Sequence, residues 1–152
     1  MNSFKTITDI LDFAIAAEQR AIAFYTQLSR NASSEAMKTV FLEFAEEERE
    51  HKAKLQEFKT SGQISIPTED VMSLKIADYT IDDTEITPEM SYESALLLAM
   101  KREKAAYKLY TNLAVLAADE HTKSIFKELA QEEAKHKLRF EVEYDENVLR
   151  EN

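Results

Sequence analysis

The chain has 152 residues, 44% of them hydrophobic and 32% charged, with one Gly, two Pro and no Cys. So few turn-formers exclude an all-β fold, and the lack of Cys excludes disulfides, thiolate metal sites and a cysteine nucleophile. A formal net charge of −10 excludes a nucleic-acid backbone as partner, which would require clustered Lys and Arg.

The N-terminal stretch "MNSFKTITDILDF" has neither the basic start nor the apolar run of a secretory leader. The longest apolar run, "ALLLAM", is far too short to cross a bilayer. A cytoplasmic protein without membrane contact is the expectation. Length and composition fit one all-α domain spanning residues 1–152.

Four segments read as long amphipathic helices. The first runs from about Thr8 to Ser29, with Thr6 or Thr8 as N-cap, and places Ile7, Leu11, Ala14, Glu18, Ala21, Tyr25 and Leu28 on one stripe. The second runs from about Ser34 to Lys59, capped by Ser33 or Ser34. Its stripe is Met37, Phe41, Phe44, Glu48, His51, Leu55 and Phe58, with Gly62 at the C-cap. Residues 61–90 break the periodicity and hold Pro67 and Pro88, with a short helix capped by Thr68 expected in "PTEDVMSLKI". This connection is longer than a bundle loop and reads as a crossover. The third helix runs from about Ser91, its own cap, to Leu116, with Tyr92, Leu96, Ala99, Glu103, Ala106, Tyr110 and Leu113 on its stripe. The fourth, capped by Asp119, extends to about Asp145 with Phe126, Leu129, Glu133, His136 and Phe140 inward.

The chain also repeats itself. Glu18 and Glu103, Tyr25 and Tyr110, Glu48 and Glu133, and His51 and His136 each lie 85 residues apart. Two helical hairpins of one design, residues 6–60 and 91–145, are therefore expected. Antiparallel helices set side by side those residues that are equidistant from their loop. Glu18 and Glu48 are equidistant from residue 33, and Glu103 and Glu133 from residue 118. Each hairpin closes with its two Glu at one height. If the crossover relates the hairpins by a pseudo-two-fold axis, four Glu and two His converge in mid-bundle.

A single Glu-x-x-His in so acidic a chain is weak evidence. The doubled motif, matched by two further Glu on apolar stripes, points to a metal site. Four buried carboxylates would resist ionisation through desolvation and mutual repulsion. Two divalent cations balance them, and two neutral imidazoles complete the shells. Oxygen and nitrogen ligation without sulfur suits Fe or Mn, and Zn can also bind. The spacing i, i+3 puts Glu and His on one helical face, and Ala14, Ala21, Ala99 and Ala106 leave room for ions and a small ligand. Tyr25 and Tyr110 read either as core tyrosines or as hydrogen-bond donors to a bridging carboxylate. Glu47 and Glu132 are expected in solvent or beside the ligands rather than as ligands. His121 is expected on the surface.

The segments "AAEQRAIAFY", "AEEEREH", "AMKREKAAYKLY" and "AQEEAKH" resemble the ferritin-like di-iron superfamily, and within it the rubrerythrin group. The resemblance covers nearly the whole chain. It implies a ferritin-like antiparallel four-helix bundle with a long crossover between its second and third helices. It also implies two Fe ions held by Glu18, Glu48, His51, Glu103, Glu133 and His136, with Glu48 and Glu133 or Glu18 and Glu103 as the bridging pair. The implied activity is reaction with hydrogen peroxide or dioxygen in oxidative stress defence. Ferroxidase chemistry with iron storage or delivery is the alternative, and a non-enzymatic helical interaction module with structural metals the second. Two features depart from rubrerythrins. The chain lacks the four Cys of a rubredoxin domain, which implies an external rubredoxin-like electron donor. Rubrerythrins also carry an additional Glu where this chain has Ala106, so the ligand set resembles the plain six of bacterioferritin-like sites. A homodimer is expected, with hairpin exchange permitted by the long crossover.

Overall fold

A computed structural model describes residues 3–81 and 89–149. Pro88 and part of the crossover lie outside them. The described residues form helices with no strand beyond an isolated bridge between Ser3 and Lys75.

Helix α1 spans Ile7–Arg30 and starts where a capping box can form. Thr6 accepts from the Asp9 N–H, and the Asp9 carboxylate accepts from the Thr6 N–H, which satisfies two end donors at once. Thr6, not Thr8, is the cap. Helix α2 spans Glu35–Ser61, with Ser34 accepting from the Met37 N–H. It ends at Gly62, whose φ of +68° is the left-handed conformation that closes a helix most easily without a Cβ. Helix α3, Thr68–Ser73, is the short crossover helix. Here the expectation fails, because Pro67 occupies the cap position and no side chain caps the end. A fixed proline φ suits the residue entering a helix, so Thr68 becomes the first helical residue. A 3₁₀ turn follows at Ile76–Asp78. Helices α4, Tyr92–Leu116, and α5, Glu120–Tyr144, are capped by Ser91 and Asp119. Helix α5 runs on through a π-helical turn at Asp145–Leu149.

Helices α1 and α2 form one antiparallel hairpin and α4 and α5 the other, with α1 facing α4 across the bundle. All four inward stripes are buried or half-buried as the spacing requires. The apolar core is divided in two. One cluster includes Leu11, Leu55, Leu113 and Phe126, together with Val71, Leu74 and Tyr79 from the crossover. The other includes Leu28, Phe41, Leu96 and Phe140. The polar layer of the six candidate ligands lies at the mid-stripe positions between them.

Two polar clasps tie the ends. Ser65 joins the crossover to the α4–α5 turn, its N–H bonding Thr122 Oγ1 at 3.1 Å and its carbonyl accepting from the Ala118 N–H at 2.8 Å. At the opposite end, Glu143 is buried and accepts from the Ser33 hydroxyl at 2.6 Å and from the Tyr92 hydroxyl. Burial of Tyr92 and the adjacent carboxylate push the phenol pKa upward. Replacing Glu143 by Ala removes both bonds at this end, so it is expected to cost about 2 kcal/mol in a denaturant melt while leaving metal stoichiometry unchanged.

Candidate metal centre

One ionisable residue on α1, two on α2, one on α4 and two on α5 meet in the layer between the apolar clusters. Glu18, Glu48, Glu103 and Glu133 are 1–2% exposed, and His51 and His136 are buried with them. Two overlapping quartets result, each with donor atoms within 4.8 Å of one another. Glu18, Glu48, His51 and Glu133 form the first, and Glu48, Glu103, Glu133 and His136 the second. Glu48 and Glu133 belong to both, whereas Glu18 and Glu103 each belong to one.

The donor atoms converge without satisfying one another. Glu18 Oε2, Glu48 Oε1, Glu103 Oε2, Glu133 Oε1 and both His Nδ1 atoms are buried with no hydrogen-bond partner. His51 Nδ1 lies 2.7 Å from Glu133 Oε1 and 3.3 Å from Glu48 Oε1, but these oxygens are out of line for an imidazole hydrogen bond. His136 Nδ1 stands 3.3 Å from Glu48 Oε1 and 3.6 Å from Glu103 Oε1. Six unpartnered lone-pair donors aimed at a common space fit a pair of cations, since buried polar atoms otherwise find partners.

Every outer contact of these residues crosses from one hairpin to the other. Tyr110 donates its hydroxyl to Glu18 Oε1 at 2.7 Å, and Tyr25 donates to Glu103 Oε1. Each of these carboxylates thus has one oxygen held by a phenol and the other turned to the cluster. Of the two readings of the tyrosines, the hydrogen-bond donor to a candidate ligand carboxylate describes both, and each of those carboxylates belongs to one quartet only. The reason is level: Tyr25 and Tyr110 rise from the same helices as Glu18 and Glu103, and each reaches the Glu of the facing helix. His51 Nε2 pairs with Glu132, and His136 Nε2 with Glu47 Oε2 at 2.8 Å. A carboxylate can only accept, so Nε2 carries the hydrogen and Nδ1 presents its lone pair inward. Such outer carboxylates are worth 10–100-fold in metal affinity. Glu132→Gln is accordingly expected to weaken binding about that much at the His51 quartet, and Glu47→Gln at the His136 quartet, measured by Co(II) titration.

Charge in the layer is strained when no cation is counted. Burial pushes the Glu48 and Glu133 carboxyls well above the usual range, and repulsion from neighbouring Glu adds to it. Burial acts against Glu103 as well, but the closeness of Glu133 and His136 and the hydroxyl of Tyr25 outweigh it and hold its pKa below the usual value. Burial disfavours charged imidazoles, yet the surrounding carboxylates raise His51 strongly and His136 to about 9. Tyr25 and Tyr110 are raised mainly by burial. The cluster gathers protons in the places where cations would serve.

The two sides of the layer differ. The histidines and their outer carboxylates face α2 and α5, where Phe44 stacks on His136 at 4.0 Å between ring centroids. Toward α1 and α4, a cavity of about 50 Å³ reaches all four Glu but neither His. Ala14, Ala21 and Ala106 border it as the sequence anticipated, while Ala99 is buried in the apolar cluster instead. Tyr79 of the crossover borders it too, its hydroxyl accepting from Asn112 Nδ2 at 2.7 Å. No helical periodicity marked Tyr79. Arg102, buried at 7% and bordering the same cavity, was also missed, although its repeat mate Ala17 breaks the symmetry visibly. His121 is exposed in the first turn of α5, away from the layer.

The rubrerythrin family profile matches residues 9–144. The chain belongs to the rubrerythrin family. Two solved structures share its fold. A ferritin-like diiron-carboxylate protein from Thermotoga maritima superposes with a TM-score of 0.75 at 24% identity, covering 97% of this chain and 98% of that one. A hypothetical protein from Pyrococcus furiosus gives a TM-score of 0.72 at 25% identity, covering 92% of this chain and 89% of that one. No curated protein matches the sequence. The rubrerythrin assignment and the buried carboxylate–His cluster together fit a di-iron site. Among the described residues, no helix of this family member is long and apolar enough to cross a membrane.

Proposed function

We propose that this rubrerythrin-family chain binds two iron ions and uses them to reduce hydrogen peroxide or dioxygen. The observation that carries this reading is the pair of overlapping quartets, with six buried donor atoms that have no other partner. Glu48 and Glu133 belong to both quartets and would be the ligands common to the two ions. Glu18 and His51 would complete the set around one ion, and Glu103 and His136 that around the other. The rubrerythrin assignment supports iron over Mn or Zn.

Iron held there would supply the redox chemistry, as bound cofactors do. The chain supplies position and a dry surrounding. Tyr25 and Tyr110 hold the outer oxygens of Glu103 and Glu18, which fixes which oxygen each carboxylate offers inward. Glu47 and Glu132 fix the imidazole tautomers. The apolar clusters on either side exclude water. These 152 residues hold no cysteines, and an external rubredoxin-like protein is the electron donor in this reading.

The symmetric six-residue set, with Ala106 in place of a further Glu, equally suits ferroxidation, and one experiment separates the readings. The metal-free protein is loaded anaerobically with Fe(II), bound iron is counted, and oxidation is followed with peroxide and with dioxygen, each with and without a reduced rubredoxin. About two irons per chain and donor-dependent turnover are expected. Mineral formation by a large assembly would replace this reading with iron storage, and fewer than about two irons per chain would overturn it.

A further inference from the structure

Of seven large hydrophobic side chains that stand exposed among the described residues, five lie on α4 and α5 and only one on α1 and α2. The five include Leu97, Leu138 and Val142, with Leu138 62% exposed. Residue 118, in the turn between α4 and α5, falls midway between Leu97 and Leu138 to within half a residue. Both therefore lie at one level of the hairpin. Ala134, four residues before Leu138, is its neighbour on the outward side of α5.

The 85-residue repeat shows what this outer face replaces. On the first hairpin the equivalent positions are polar and paired: Lys59 bonds Asp12 at 2.6 Å, and Arg49 bonds Glu46 at 2.9 Å. On the second hairpin both members of each pair are gone. Leu97 stands for Asp12 and Tyr144 for Lys59, while Ala134 stands for Arg49 and Gln131 for Glu46. Val142 likewise replaces Glu57. The two hairpins share one inward design, yet the second has lost charge from its outer face.

Charge is also added, in a pattern that names the occupant. Lys127 lies seven residues before Ala134 and Glu141 seven after it, where the first hairpin has Leu42 and Gln56. Residues seven apart on a helix share a face to within about 20°. Both Lys127 and Glu141 are exposed, and Glu141 also pairs with Lys137 of its own helix at 3.4 Å. On α4, Glu93 stands at the Glu141 end, where it accepts from the Tyr144 hydroxyl at 3.3 Å, and Lys104 stands toward the Lys127 end. A two-fold axis through Ala134, perpendicular to α5, would run two copies of this helix antiparallel. Each Lys127 then meets Glu141 of the other copy, one pair on either side of an apolar centre at Ala134 and Leu138. A two-fold contact requires a patch that complements itself, and opposite charges placed evenly about an apolar centre meet that requirement. A partner without charge would gain nothing from them.

We infer that the outer face of α4 and α5 is a two-fold docking surface for a second copy of this chain. The contact joins intact bundles, so it differs from a dimer built by hairpin exchange. Each copy keeps its own six candidate ligands.

The test is sedimentation of the full, iron-loaded chain over a range of concentrations from micromolar upward. Twice the chain mass is expected at the upper end. Leu138→Glu brings a carboxylate without a partner into the contact from each copy, and is expected to weaken the dimer about a hundredfold. Lys127→Glu and Glu141→Lys each set like charges together twice, so each is expected to raise the dimer Kd about tenfold at low salt. The double variant Lys127→Glu with Glu141→Lys restores both pairs, and its Kd is expected within about threefold of the wild type. A wild-type chain that stays monomeric overturns the inference, including where it binds a reduced rubredoxin through this face instead. So does a dimer indifferent to Leu138→Glu, as hairpin exchange would give, or a double variant no tighter than the single ones. Should Leu138→Glu fail to fold, the charge exchange alone decides. Iron is counted in the same samples, so failure of the two-iron reading shows separately.

Discussion

Replacing Glu48 by Gln is expected to reduce bound iron from about two ions per chain to less than one. The reason lies in the quartets: Glu48 offers a donor to both, so one substitution damages two shells. Changes beside a metal ligand already cost 10–100-fold in affinity, and loss of a shared ligand is expected to exceed about 100-fold at each ion. Glu133→Gln should behave alike. Glu18→Gln, which removes a donor from the first quartet alone, should leave about one ion bound. Iron analysis after desalting distinguishes these patterns, and a Glu18→Gln protein that loses both ions would refute the sharing of Glu48 and Glu133. The same variants should melt higher than the wild type when all are metal-free. Glu48 is buried among like charges, and an isosteric neutral amide relieves both the desolvation and the repulsion.

Metal removal is expected to have the largest effect on stability, and the effect should grow with pH. An ion present at about a thousandfold excess over its Kd stabilises by about 4 kcal/mol. Two such ions raise the Tm of a domain this size by on the order of 20 °C. The pH dependence follows from the directions of the shifts. Glu48 and Glu133 are raised in the folded metal-free protein, and His136 is raised to about 9. A group with a raised folded pKa contributes stability that is complete below its unfolded pKa and is lost as pH rises through the folded value. His136 therefore sets a window from about 6.5 to 9 in which the metal-free protein weakens. Glu103, with a lowered pKa, contributes in the opposite sense, but only below the ordinary carboxyl range. Metal replaces the same protons, so binding tightens as pH rises. Melting curves with and without a chelator at pH 6, 7, 8 and 9 should diverge. A metal-free Tm that holds steady or climbs between pH 6.5 and 9 would contradict the account.

The helices, their stripes and the six candidate ligands were legible because one periodicity encodes them all. A residue at mid-stripe is inward whatever else surrounds it, and the 85-residue repeat doubled each signal. Ser34 and Gly62 were legible for a local reason, since a cap is decided by its own backbone. Three features were not. Tyr79 comes from an irregular connection whose path is set by packing, through Asn112 and the cluster around Val71. The partners of Tyr25 and Tyr110 depended on which helix faces which, and stripe analysis orients each helix without choosing its neighbour. Glu143 continues the α5 stripe three residues after Phe140, but its partners Ser33 and Tyr92 arrive from two other segments. Arg102 was visible only as an exception, a charge where the repeat offers alanine.

The crossing of every outer contact between hairpins says something about how such a chain can arise. The first hairpin alone carries Glu18, Tyr25, Glu47, Glu48 and His51, one of each kind of group the layer needs. Glu18, Tyr25, Glu47 and His51 each bond a group on the opposite hairpin. Two copies of an ancestral hairpin, paired about a two-fold axis, would have presented the same ring of ligands and supports. Duplication and fusion then add no ligand. They convert a bimolecular encounter into an intramolecular one at a millimolar-scale effective concentration, and they free each half to diverge. Arg102, whose repeat mate is Ala17, marks one place where the two halves differ.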